Sequence, residues 1–153
     1  MNPEITIRVA RADEYDAVAL AYRLWGYRRA VLPSDVIFVA HCGSDLIGIV
    51  RRTIEHGMTM LRGMHVAPDW RGRGVGTLLL GAFEAALPPG PCVCVPYSYL
   101  EKFYAGIGFG PMSETDAPQF LVDRLAQYRA EGRDVMLMRR LERLSVPSTL
   151  ETR

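Results

Sequence analysis

The chain has 153 residues, 49% hydrophobic and 23% charged, with a net charge of +1. That is one domain's length with apolar content enough for a core of its own, which excludes a disordered chain. The near-neutral balance, with no long run of cations, excludes a general nucleic-acid surface.

Ile5, Ile7 and Val9 alternate with polar residues and predict a strand. Asp13 reads as the N-cap of a helix running to about Trp25, with Asp16 as its capping partner. Val18, Tyr22 and Trp25 recur at helical spacing on its buried face. A loop or short helix rich in Arg and aromatics follows, Tyr27 to Ser34. Three strand-like runs come next, Val36–Ala40, Leu46–Ile54 and Met58–Val66. The short turns between them, one with Gly43 and one at Glu55-His56-Gly57, predict an antiparallel meander. Glu55 and His56 read as solvated there.

Arg71–Gly76 is a turn and Thr77–Leu87 a helix whose only charge is Glu84, apolar enough to be buried on several sides. Pro88-Pro89-Gly90-Pro91 stops it. Cys92–Val95 predicts a short buried strand with both its cysteines on one face. Cys42, Cys92 and Cys94 read as reduced thiols, with no metal-type pairing. Tyr99–Ala105 predicts a short helix and Phe109–Met112 a brief strand. Asp116 reads as the cap of a helix to about Glu131, with Pro118 in its first turn and Gly132 ending it. The apolar run Val135–Met138 predicts a strand buried on both faces. The order of elements predicts an α/β sheet with helices on both faces.

The segment Met64-His-Val-Ala-Pro-Asp-Trp-Arg-Gly-Arg-Gly-Val-Gly76 carries the chemistry. A strand leads in and a helix leads out. Glycines let backbone N–H groups approach a ligand closely, and a helix N-terminus offers unpaired donors and a positive dipole end. Arg71 and Arg73 add charge, so the turn suits a pyrophosphate. A Walker loop would need Gly-Lys-Ser/Thr, which is absent. A dinucleotide fingerprint would need G-x-G-x-x-G, whereas Gly72, Gly74 and Gly76 give G-x-G-x-G. The spacing present is Arg-x-x-Gly-x-Gly, filled by Arg71, Gly74 and Gly76.

This turn resembles the pyrophosphate loop of the GNAT superfamily of N-acetyltransferases. Leu100-Glu-Lys-Phe-Tyr-Ala-Gly-Ile-Gly-Phe109 is similar to the second signature of that family. Taken alone, Phe103-Tyr104 reads as core packing. With both signatures in the family's order, Tyr104 falls on the family's frequent tyrosine acid. The resemblance covers roughly residues 5–140. It implies a mixed, mostly antiparallel GNAT-like sheet, splayed between the strand ending at Val66 and the strand at Cys92–Val95. It also implies acetyl-CoA as co-substrate, with no metal. The implied cofactor-binding residues are Met64, His65, Val66, Arg71, Gly72, Arg73, Gly74, Val75, Gly76 and Thr77. Residues near Met64 and Val66 would meet the pantetheine and polarise the thioester carbonyl.

The implied reaction is direct attack by the amine of a small molecule or a protein on the thioester, with Tyr104 assisting the leaving thiolate. Three departures bear on it. Arg62 stands where many members carry a carboxylate base. Tyr97 stands where many carry an asparagine. The helix near 116–131 is an addition that would shape the acceptor site, as would Tyr27, Arg28 and Arg29. His65 reads either as a base or as a strand residue facing away from the thioester. Arg28, Arg29, Arg51, Arg52 and Arg62 read as a solvated face, or as a preference for anionic substrates. An acyl-CoA-binding or sensing module without catalysis is the alternative reading.

The expected organisation is a single acyl-CoA N-acyltransferase-like domain over 1–144 and a loose tail over 145–153. Arginine supplies nearly every cation, with Lys102 the only lysine, and this usage matches a GC-rich, bacterial genome. No apolar run reaches the ~18 residues of a membrane span, and MNPEITIRVA is unlike a secretion signal. A cytoplasmic protein is expected, with an amine acceptor as partner and neither nucleic acid nor membrane. Homodimers are common among proteins that look like this.

Overall fold

The computed structural model of the chain describes residues 4–27 and 29–141. The tail expected at 145–153 and Arg28 lie outside them. The strands are β1 (Ile5–Val9), β2 (Val36–Cys42), β3 (Asp45–Glu55), β4 (Met58–Val66), β5 (Cys92–Cys94), β6 (Gly110–Pro111) and β7 (Met138–Arg140). The helices are α1 (Tyr15–Leu24), α2 (Val75–Ala85), α3 (Glu101–Ala105) and α4 (Gln119–Ala130). The strands form one sheet in the order β1-β2-β3-β4-β5-β7-β6. Only β4 and β5 pair in parallel.

The meander follows from its turns. His56 and Gly57 both take positive φ, 52° and 78°, the geometry of a two-residue hairpin turn that matches strand twist. Strand alternation then sorts the core. Phe38, Ala40, Val50 and Leu61 face α2 and α3, where Leu79, Leu80, Phe83 and Tyr104 pack. Ile37, Val39 and Ile49 face α1 through Val18 and Tyr22. Met60 and Val93 face α4 through Leu121, Leu125 and Tyr128. Each such buried Leu, Ile or Phe contributes about 1.5–3 kcal/mol. Gly48 lets α2 lie close on the sheet. A Cβ there would stand 2.9 Å from both Val75 Cγ1 and Leu79 Cδ1.

Several expectations need correction. Glu14, not Asp16, closes the cap ahead of α1, reaching back to the Arg11 N–H at 2.8 Å. A short 3-10 turn, Ala12–Glu14, precedes the helix, so Asp13 is not its cap. The helix α2 starts at Val75, and one side of it is open, with Leu78 47% exposed. Asp116 accepts from Ser113 and ends a 3-10 turn, while Pro118 is the N-cap of α4. The last strand is Met138–Arg140 rather than Val135–Met138. Val135 makes only an isolated bridge to Tyr97. Arg140 is tolerated inside the sheet because its guanidinium donates to the Ile107 carbonyl at 2.6 Å and to Glu84 at 2.9 Å.

The sheet opens in the middle. β4 and β5 share two register pairs, Thr59 with Cys92 and Met60 with Val93. β4 continues to Val66 without β5 beside it. No helix among the described residues is long and apolar enough to cross a membrane.

Candidate active site

Two cavities lie along the free edge of β4, each of about 260 Å³. The first fills the gap between β4 and the chain leaving β5. The second lies over the turn into α2. The helix α3 borders both, with Tyr104 and the N-cap residue Leu100 in the first and Phe103 in the second.

The turn is built from backbone. Gly72 and Gly74 take φ of 77° and 84°, and nothing lies within 4 Å of where a Cβ on either would stand. Gly74 is the N-cap of α2 and its carbonyl accepts from Leu78 N–H at 3.1 Å. The N–H groups ahead of Leu78 therefore have no partner inside the helix. Val75 is 1% exposed, so only its backbone can face a ligand. Gly76 admits the Phe103 ring, whose Cζ would be 3.1 Å from an added Cβ. Arg71 Nε donates to the Val66 carbonyl at 3.2 Å, which ties the turn to the end of β4. Val66, Arg71, Gly72, Gly74, Val75, Gly76 and Thr77 line the second cavity. Arg73 does not, and its guanidinium lies 4.9 Å over the Trp70 ring. Met64 and His65 line the first cavity instead.

A bulge separates Arg62 from Met64. Arg51 pairs with Arg62 and Ile49 with His65, so β4 carries one residue more than β3 between them. Gly63 takes φ of 65° there, and its carbonyl accepts from the Tyr22 hydroxyl at 2.7 Å. Arg62 consequently points to the α4 side and Met64 to the α2 side, where plain alternation would put them together. His65 returns to the α1 side, 4.8 Å from the Tyr27 ring. Burial, and then the Arg71 cation, hold its imidazole below the ordinary value of 6.5, so it is neutral at pH 7.

Tyr104 is 4% exposed, lines the first cavity, and stands edge-on to Phe103 and Phe109. Burial pushes its phenol well above the ordinary value. Cys94 also lines this cavity, and burial raises its thiol and that of Cys92, the latter to about 12. They are poor nucleophiles there. Tyr97 reaches the cavity stacked on Tyr99, with ring centroids 5.7 Å apart.

The far wall holds residues that sequence reasoning did not assemble. Arg124 and Tyr128, one turn apart on α4, meet Arg62, and Arg29 and Arg133 join them in the lining. The i,i+4 spacing of Arg124 and Tyr128 was the available signal. Glu55 is no solvated turn residue. It accepts from Arg62 at 3.1 Å and Arg124 at 2.6 Å. Burial pushes its carboxyl up, but the two arginines outweigh that and hold it below the ordinary range. His56 stacks on Phe120 at 4.2 Å. Arg51 and Arg52 are not a solvated face either. Arg52 donates to the Ala86 carbonyl at 2.6 Å. Arg51 is 2% exposed and pairs with equally buried Asp35 at 2.7 Å.

A family model described as an acetyltransferase (GNAT) domain matches residues 33–111, just over half of the chain. The chain therefore belongs to the GNAT acetyltransferase family. Solved structures share its fold. The ribosomal-protein-S18-alanine N-acetyltransferase from Escherichia coli aligns with a TM-score of 0.69 at 13% identity, over 94% of this chain and 97% of that one. Escherichia coli ElaA aligns at 0.63 and 16%, over 90% and 99%. N-acetylglutamate synthase from Neisseria gonorrhoeae, complexed with coenzyme A and N-acetyl-glutamate, aligns at 0.66 and 16%. That match takes in 94% of this chain but only 36% of the synthase, so this chain spans about a third of its length. No curated protein matches the chain.

Proposed function

We propose that this chain transfers the acetyl group of acetyl-CoA to an amine by direct attack, within one domain over 1–144. The observation that carries the reading is the pair of cavities along one free strand edge. One is walled by unpaired backbone donors at a helix N-terminus, the other by Tyr104. The open glycine turn fits a pyrophosphate, with the N–H groups of Gly74, Val75, Gly76 and Thr77 as donors and Arg71 and Arg73 as cations. Met64, His65 and Val66 then offer backbone groups to the pantetheine arm and to the thioester oxygen. The co-substrate supplies the activated acyl group.

In the step itself the acceptor nitrogen attacks the thioester carbon, a C–N bond forms and the C–S bond breaks. The nitrogen gives up a proton and the sulfur gains one. Among the described lining residues, His65 is the only side chain able to take a proton near neutral pH, and we assign it that role. Tyr104 hydrogen-bonds the departing sulfur. Its raised phenol argues against full proton transfer, since a thiol titrates near ~8.5. The arginines around the acceptor disfavour its ammonium form, which lightens the need for a carboxylate at position 62.

The test joins calorimetry with CoA to thiol release from acetyl-CoA over a panel of amines. Saturable binding with amine-dependent thiol release supports transfer. Binding without release from any amine supports the second reading, a silent acyl-CoA module, which Arg62 in place of a carboxylate favours.

A further inference from the structure

We propose that the acceptor is an amine that also carries a carboxylate or a phosphate, seated by Arg29, Arg62, Arg124 and Arg133. This rests on the acyl-transfer reading above. The four guanidinium groups come from four segments: the loop after α1, β4, α4 and the loop before β7. They converge on the one cavity that Tyr104 and His65 also line. No Asp or Glu is among its described lining residues.

The cations exceed their partners. Arg62 and Arg124 share Glu55, and among the described carboxylates Arg133 pairs with Glu131, at 3.4 Å with both side chains 41% exposed. Two carboxylates thus face four guanidinium groups. Donors are also in excess. The second Arg62 nitrogen donates to the Tyr128 hydroxyl at 3.3 Å, and that of Arg124 lies 3.5 Å from the weak acceptor Met60 Sδ. Each guanidinium has five N–H bonds to give. Arg29 and Arg133 lie 5.2 and 5.0 Å from the centroid of the Tyr128 ring, so this aromatic holds them. Stacking uses the face of a guanidinium and leaves its edge for a bidentate anion.

The neighbouring Arg51 shows how the same fold treats an arginine that only holds structure. It is sealed off and bonded to Asp35, to the Ala30 carbonyl and to the Tyr27 hydroxyl. The cavity arginines differ in two respects: they border open space and they outnumber their carboxylates. Polyamines and other cationic acceptors meet repulsion at this wall, and neutral amines leave its donors unmatched.

The experiment measures thiol release from acetyl-CoA with α- and ω-amino acids, their carboxamides, aminoalkyl phosphates and polyamines. Within each pair the anionic amine is expected to exceed its neutral partner in kcat/KM by at least about tenfold. The better of carboxylate and phosphate identifies which anion is meant. Arg124→Gln, and separately the exposed-site variant Arg29→Gln, are expected to shrink that ratio mainly through KM, with Arg124→Lys restoring part of it. Equal rates for the members of a pair, or a preference for polyamines, overturns the proposal while leaving acetyl transfer intact. If no amine is turned over, the transfer reading fails, and the anion seat is judged by titrating inorganic phosphate into the CoA-loaded protein by NMR. Shifts at cavity residues that vanish in Arg124→Gln uphold it, and their absence in the parent protein overturns it.

Discussion

The proposed donor end and acceptor end of the β4 edge are built from different materials. Over Arg71–Thr77 the groups proposed to cradle the donor are mainly backbone N–H, set by positive φ at Gly72 and Gly74 and by the start of α2. At the other end they are side chains, brought from four segments onto one wall. A backbone cradle is local, so seven or eight residues specify it. A side-chain wall depends on the register of β4, the placement of α4 and the packing of the loops around them.

The largest effects should come from breaking the support beneath the acceptor end. Arg51→Met strands the buried Asp35 carboxylate, and loss of about 3–5 kcal/mol of stability is expected in chemical denaturation. Gly63→Ala forces φ of 65° on a residue with a Cβ and sets that Cβ against the Tyr22 hydroxyl. About 2–4 kcal/mol should be lost, with the bulge that aims Arg62 and Met64 apart.

Variants at the sites themselves should separate the two ends. Tyr104→Phe is expected to lower turnover about ten- to a hundredfold while CoA affinity holds, since only the bond to the leaving sulfur is removed. Gly74→Val does the reverse. It strains φ of 84° and places a branched side chain over the donors, so calorimetry should find CoA bound at least about tenfold more weakly, ~1.4 kcal/mol. If Gly74→Val bound CoA normally, the backbone cradle would lose its role.

The smallest effect is a pH dependence at His65. Its imidazole is held below 6.5 by burial and by Arg71, and the neutral form is the one that accepts a proton. Activity should be level near pH 7 and decline only on acidification below 6.5. Stability should follow the same sign. The unfolded imidazole takes up its proton first, so folding weakens as pH falls through 6.5 and gains nothing from this group above it. A pH–rate profile unchanged in His65→Ala would remove it as the base.

The sequence was legible where structure is local. β1, the β2–β4 meander and the glycine turn follow from alternation, turn residues and spacing. The last strand was displaced because Val135–Met138 is the apolar run, yet the ladder forms where Arg140 finds Ile107 and Glu84. The cap before α1 falls to Glu14, which reaches back to the Arg11 N–H, rather than to Asp16. The Gly63 bulge has no periodic signature, and without it Arg62 and Met64 would share a face. Nothing local in the sequence singles out Arg124 and Arg133 until α4 and the loop after it are laid beside β4.

The central claim is acetyl transfer at the gap between β4 and β5. Thiol release from acetyl-CoA, followed together with the mass of the amine, tests it most directly. Amine-dependent release of one thiol per acetylated amine is the predicted result. No release with any amine, from protein that binds CoA saturably, would contradict it.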